Sequence, residues 1–179
     1  DLNQVRGVIT DAISNNPLPK TFVIIPQLED NIVKSRLADS TGFYARLLHP
    51  EESYTTLDNM VKHVASILDE LGLPYRILQL CGGDLGFTSA LTFDFEVYSA
   101  GQDKWLEVSS VSNFENYQAN RLKLRYKDEN GKSQLCHTLN GSALALPRIF
   151  SALIENNQTE KGIKIPKALQ KYTGFDIID

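Results

Sequence analysis

A chain of 179 residues, 42% hydrophobic and 22% charged, is long enough to bury one core and too short for two large domains. Its formal net charge of −4 excludes a global attraction to nucleic acid, and no apolar run approaches the ~20 residues that span a bilayer. Asp1 to Thr10 lacks the basic start and apolar stretch of a secretory signal, so a cytoplasmic protein without a membrane segment is expected.

Taken in chain order, Leu2, Val5, Val8, Ile9, Ala12 and Ile13 recur at helical spacing, and Asn15-Asn16-Pro17 stops that helix. Thr21 to Ile25 is a β-branched run closed by Pro26, and residues 27–42 read as a loop with a short helix. Tyr44 to Leu48 is a strand closed by Pro50. Ser53 is placed as the cap of a helix whose apolar stripe is Leu57, Met60, Val61, Val64, Ile67, Leu68 and Leu71; Gly72 and Pro74 end it. His63 falls on the flank of that stripe. Tyr75 to Leu80 is a strand, followed by a turn at Gly82-Gly83-Asp84.

Leu91, Phe93, Phe95 and Val97 alternate with Thr92, Asp94, Glu96 and Tyr98, the pattern of a strand with one buried and one polar face. Asp103 to Ser110 is its antiparallel partner, which brings Glu107 near Asp94 and Glu96. Arg121–Lys127 and Gln134–Leu139 read as a hairpin around Asp128-Glu129-Asn130-Gly131, and a last helix is expected over Ser142–Asn156. A helix, an antiparallel meander and a closing helix indicate an α+β fold, an antiparallel sheet flanked by helices.

Cys81 and Cys136 lie in apolar segments without a neighbouring ligand at zinc spacing, and are expected to be buried free thiols. His49 and His137 have no nucleophile or base around them in the sequence. Arg121, Lys123, Arg125, Lys127 and Lys132 form a basic strip, read first as a solvated strand face and second as a phosphate contact. Asp94 and Glu96 read alone as solvated strand residues, Asn140-Gly141 as a turn, and Ser142 as a helix cap.

An ordered series of segments stands out: LCGGDLGF from Leu80, the acid-bearing strand, EVSS from Glu107, SNF..YQANR from Ser112, HTLNGSALALPR from His137 and ENNQ from Glu155. Together they resemble seryl-tRNA synthetase from the strand after motif 2 to the C-terminus, over residues 50–179. Residues 43–179 are therefore assigned to the C-terminal part of a class II synthetase catalytic core, and residues 1–42 to a segment outside that pattern.

The resemblance implies that ATP and Mg²⁺ bind the sheet. Glu107, Val108, Ser109 and Ser110 are the expected ATP-binding stretch, with Glu107 and Ser110 near the metal. Asn140 and Ser142 match the serine pocket. Arg148 matches the catalytic arginine of motif 3, which lies against the nucleotide. Serine and tRNA(Ser) are the implied substrates, and a homodimer is possible. A planar guanidinium suits both stacking and phosphate pairing, and hard oxygen ligands suit Mg²⁺.

The sequence also departs from the family. The long helical arm that grips tRNA, motif 1 and the Arg-x-Glu heart of motif 2 have no recognisable counterpart. Phe43 occupies the position where the resemblance places a serine-binding glutamate. Impaired adenylate formation is expected in consequence. The alternatives are a non-catalytic paralogue acting as a binding or scaffold module, and a chain in which foreign residues 1–42 are joined to a synthetase portion.

Overall fold

The structure, a computed structural model, describes residues 43–128 and 130–179, with the first strand described by its backbone. The helix expected over residues 2–13, the strand over 21–25 and the loop with a helix over 27–42 lie outside the described residues.

A five-stranded antiparallel sheet organises the molecule. Its strands are β1 (Phe43–Leu48), β2 (Tyr75–Gln79), β3 (Leu91–Ser99), β4 (Lys104–Asn113) and β7 (His137–Ser142), in the order β1-β7-β4-β3-β2. The remaining strands are β5 (Arg125–Lys127) and β6 (Ser133–Leu135), which form a hairpin, and β8 (Gln158–Thr159), β9 (Gly162–Lys164) and β10 (Ile177–Ile178), which form a small C-terminal sheet. Among the described residues four α-helices accompany them: α1 (Ser53–Leu71), α2 (Tyr117–Leu122), α3 (Leu146–Asn156) and α4 (Lys167–Thr173).

Helix α1 follows its apolar stripe. Leu57, Met60, Val64 and Leu68 are buried against Phe95, Val97, Val108, Val111 and Leu139 of the sheet, and Ile149 and Ala152 of α3 join the same core. Burying such side chains contributes about 1.5–3 kcal/mol each. Two helices thus cover one face of the sheet and leave the other to polar residues. Gly72 ends α1 in the left-handed conformation (φ 66°), its N–H returning to Leu68 and Asp69.

Strands β3 and β4 pair in two registers, Asp94↔Ser110 and Phe95↔Ser109 on one side of a bulge, Glu96↔Glu107 on the other. Val108 is the extra residue. Strict alternation would put Glu107 on the face opposite Ser110; the bulge resets it, so both sit on the polar face while Val108 is buried. The carbonyl of Val108, released from the ladder, accepts the Ala145 N–H at 2.7 Å and so fixes the approach to α3.

Several expectations are corrected. Ser53 is the first residue of α1, not its cap: Glu52 precedes it and makes no side-chain capping bond. The Ser53 hydroxyl instead donates to the Pro50 carbonyl (2.9 Å) and contacts His137 Nδ1 (2.9 Å) and Asn113 Nδ2 (3.2 Å). The strand expected from Arg121 is α2 up to Leu122, then left-handed Lys123, and extended only from Arg125. Helix α3 begins at Leu146 with Pro147 in its first turn, because Asn140–Ser142 is needed in β7 to pair with β1 and β4. Cys81 is exposed in the loop after β2, and Cys136 is half-buried. Thr92 is buried, its hydroxyl sharing bonds with Ser89 and Ser112 (both 2.7 Å).

Candidate functional site

The polar face is assembled by alternation on three strands. Asp94 and Glu96 come from β3, Glu107 and Ser110 from β4, and Asn140 and Ser142 from β7, with Ser112↔Asn140 aligning the last two strands. Gly141 between them lets the strands close: a Cβ there would lie 3.1 Å from Val111 Cγ2 and 3.2 Å from the Ser110 carbonyl. Ser142 Oγ accepts the Ser110 N–H at 3.5 Å, and Ser109 Oγ donates to the Ser142 carbonyl. Phe43 pairs with Ser142 in the backbone register of β1 and β7.

Arg148 stands in the first turn of α3, exposed, and donates to the backbone carbonyl of Glu107. A cation at a helix N-terminus opposes the helix dipole. That turn also has no side-chain cap, so guanidinium and free N–H groups make a positive pole beside the acidic face. Such an arrangement suits a polyanion with a cation on its far side.

The acidic side is electrostatically unsatisfied. Glu96 is paired with Arg76 at 2.5 Å, and Arg76 also lies over the Trp105 ring at 4.7 Å. Among the described residues Glu107 has no such partner at its carboxylate. Burial pushes its carboxyl above the usual range, Asp94 and Glu96 push further, and Arg148 opposes them. Among the described residues no hydrogen-bond partner reaches the buried Asp94 Oδ1. An orphaned carboxylate oxygen beside a second acid fits a cation. Among the described residues no three His, Cys, Asp or Glu side chains gather as a metal cage. Mg²⁺ does not require one, since it is commonly held by one or two carboxylates, water and phosphate.

The structure thus brings Glu107, Ser110, Asn140, Ser142 and Arg148 to one region. It does not bring the side chains of Val108 (1% exposed) and Ser109 (2% exposed) there; they serve the core and the β4–β7 junction. Gln118 was not anticipated. From α2 its side-chain oxygen accepts from Thr138 Oγ1 (2.9 Å) and Asn140 Nδ2 (3.3 Å), which orients the Asn140 amide. Its presence in YQANR was the available signal. His137 and Ser53 do form a pair, but Ser53 is fully buried and inaccessible to a substrate, so the contact is structural.

Residues 42–157 match the family model described as the tRNA synthetase class II core domain (G, H, P, S and T). The serine–tRNA ligase of Finegoldia magna is 53% identical over 135 residues, covering 75% of this chain and 32% of that protein. That of Salinibacter ruber is 56% identical over 132 residues, covering 73% and 31%. Among solved structures, Pyrococcus horikoshii seryl-tRNA synthetase complexed with ATP superposes with a TM-score of 0.72 at 38% identity, over 76% of this chain and 32% of that one. The Naegleria fowleri cytoplasmic enzyme in complex with AMP gives 0.71 at 29% identity, over 76% and 33%. The chain spans about a third of the length of the curated relatives it matches. With residues 42–157 matching the family model and the antiparallel fold shared with solved seryl-tRNA synthetases, the chain belongs to the class II aminoacyl-tRNA synthetase core family, in the seryl-tRNA synthetase lineage.

Proposed function

We propose that this chain supplies the nucleotide-binding half of a seryl-tRNA synthetase site, for activation of serine by ATP and transfer to tRNA(Ser). The observation that carries the reading is the polar face on which a positive pole at Arg148 stands against the unsatisfied acids Glu107 and Asp94.

In this reading the ATP phosphates lie between the α3 N-terminus and β4. Arg148 holds the phosphate end through its planar fork and stacks along the nucleotide, as its anchoring on the Glu107 carbonyl fixes its direction. Glu107 and Ser110 would hold Mg²⁺, which supplies charge neutralisation on the phosphates when bound. Val108 and Ser109 support ATP through the backbone they position. Asn140, aimed by Gln118, and Ser142 line the serine pocket; short amide and hydroxyl groups discriminate against substrates lacking a matching polar group. The serine carboxylate would then attack the α-phosphorus with pyrophosphate leaving, and a hydroxyl of the terminal tRNA ribose would attack the seryl carbonyl of the adenylate, losing its proton and releasing AMP.

Phe43 cannot pair with an α-ammonium group, and no motif 2 arginine is recognisable. Charge stabilisation at the α-phosphate is thereby reduced, commonly by several kcal/mol when such a group is missing. We assign the chain residual or no adenylate synthesis by itself, a cytoplasmic location, and residues 1–42 to a segment outside the family pattern. Phe43 also favours the second reading, a non-catalytic synthetase-like binding module. Calorimetric titration with a non-hydrolysable seryl-adenylate analogue and Mg²⁺ separates the two. Binding that Glu107→Ala and Arg148→Ala weaken supports the ligase reading. No binding at high protein concentration, with the fold intact by circular dichroism, refutes it.

A further inference from the structure

We infer that the surface formed by the loop after β2, α2 and the β5–β6 hairpin binds single-stranded RNA, independently of the nucleotide site. Although the chain carries a net charge of −4, residues 121–132 hold five cations against two acids. The strip is not one strand face, as its sequence suggests, but a wrapped surface. Arg121 comes from α2, Lys123 from the left-handed residue that ends it, and Arg125 and Lys127 from β5. Tyr126 packs edge-on against His49 at 4.3 Å, so its neighbours Arg125 and Lys127 project from the opposite side of the ribbon. All four cations are exposed and make no salt bridge among the described residues. The one described acid in the run, Asp128, is engaged by its own loop, accepting from the N–H groups of Asn130 and Lys132 and from Gln134 Nε2.

Charge alone would fit any polyanion. The second feature is aromatic. Phe87 is 87% exposed and meets the Tyr117 ring edge-on at 6.0 Å, while the Arg121 guanidinium lies over Tyr117 at 4.9 Å. An exposed ring against a guanidinium-capped tyrosine, whose Arg121 is the first of the run of cations, offers stacking faces beside phosphate partners. That combination recognises unpaired bases on a phosphodiester backbone, since a duplex hides its base faces and an acidic peptide has none to stack. The choice of RNA over DNA rests on the synthetase reading above; the surface itself does not involve Glu107, Asn140 or Arg148.

The test is fluorescence anisotropy of the full chain with a labelled, unstructured oligouridylate of about a dozen nucleotides, without serine or ATP. Expected is binding whose logarithm falls linearly with the logarithm of salt. Arg125→Ala and Lys127→Ala each reduce that slope by about 0.7. Phe87→Ala weakens affinity about tenfold, and Tyr117→Ala does the same. Should Tyr117→Ala unfold α2, Phe87→Ala on the exposed loop remains diagnostic. The proposal is overturned by absence of binding, by affinity indifferent to Phe87→Ala, or by polyglutamate or duplex RNA competing as well as the oligouridylate. Equal affinity for oligothymidylate overturns the assignment to RNA. Failure here leaves the seryl-adenylate titration untouched, and failure of that titration leaves RNA binding measurable.

Discussion

Arg148 donates to the backbone carbonyl of Glu107, not to its carboxylate. The two residues are thereby held together while the carboxylate stays available to a cation. The Val108 bulge makes this possible by turning the Glu107 side chain to the polar face and leaving the adjacent carbonyls directed at α3.

A first prediction concerns that contact. Arg148→Ala lowers affinity for the adenylate analogue by roughly 10- to 100-fold, the range for a charge-assisted bidentate contact. Arg148→Lys does not restore it, because an ammonium lacks the planar fork. The side chain is exposed, so urea unfolding of either variant moves little. Calorimetry and urea titration on the same samples check both parts; loss of stability parallel to loss of affinity would mean that Arg148 acts only on the fold.

Gly141 and Gly72 separate packing from backbone conformation. A Cβ at Gly141 meets Val111 and the Ser110 carbonyl, groups anchored in the sheet, whereas nothing lies within 4 Å of one at Gly72. Gly141→Ala is expected to destabilise by about 1–3 kcal/mol through overpacking and to weaken analogue binding, because it displaces Ser110. Gly72→Ala is expected to cost about 1 kcal/mol through its left-handed φ alone, with binding unchanged. Equal binding by both variants would argue that β4–β7 closure does not shape the site.

The far end of α3 offers a third test. Glu155 accepts from Ser99 Oγ (2.5 Å) and the Gly101 N–H (3.1 Å), and Asn156 donates to the Tyr98 carbonyl (2.8 Å), so the ENNQ segment ties α3 to the β3–β4 turn. Ser99 is fully buried, so Glu155→Ala leaves its hydroxyl without this partner and is expected to cost about 1–3 kcal/mol. Hydrogen exchange localised to residues 97–106 would register the loosened turn; uniform protection there would dismiss the role.

Much of the fold was legible because local signals agreed with tertiary packing. The stripe from Leu57 to Leu71 and the alternation from Leu91 to Val97 each have one answer, and the core uses both. What escaped the sequence were features set by distant partners. Helix α2 ends on Lys123 rather than glycine, so no stop signal marked it. Asn140-Gly141, locally a turn, is held extended by β1 on one side and β4 on the other. Insertion of β7 between those strands has no local code at all. For the site, the acids on β3 and β4 were visible as alternation, and the family pattern added Arg148 and Asn140. The bulge that aligns Glu107 with Ser110, and the Gln118 bond to Asn140, were not visible, since both depend on register.

The raised Glu107 carboxyl predicts a pH dependence of cation binding. Burial raises it first, then Asp94, with Arg148 opposing and Glu96 adding. Below its folded pKa the group is protonated and cannot ligate, so Mg²⁺ affinity falls as pH is lowered into that range. Asp94→Asn removes the largest like charge and shifts this acidic limb to lower pH, measured by Mg²⁺ titration at several pH values. An unmoved limb would exclude Asp94 from the electrostatics of the site.

His137 gives the opposite sign in stability. Burial lowers its pKa, with Glu115 partly offsetting, so the native state holds fewer protons on this ring than the unfolded chain. Its contribution is therefore fully present above the unfolded value of about 6.5 and is lost as pH falls through it toward the folded pKa. Ser53 Oγ meets His137 Nδ1 at 2.9 Å while also lying within hydrogen-bond distance of the Pro50 carbonyl and Asn113 Nδ2. The penalty on the charged ring is desolvation by burial, the largest cause of its lowered pKa. Glu107 works against the trend, because its raised folded pKa makes stability fall as pH rises between its unfolded and folded values. The difference between wild type and His137→Gln isolates the histidine. Expected is a wild-type stability that declines below about pH 6.5 more steeply than that of the variant, followed by urea unfolding at fixed ionic strength. Parallel curves would mean that the ring is solvated in both states and that the Ser53–His137 contact carries no titration-linked stability.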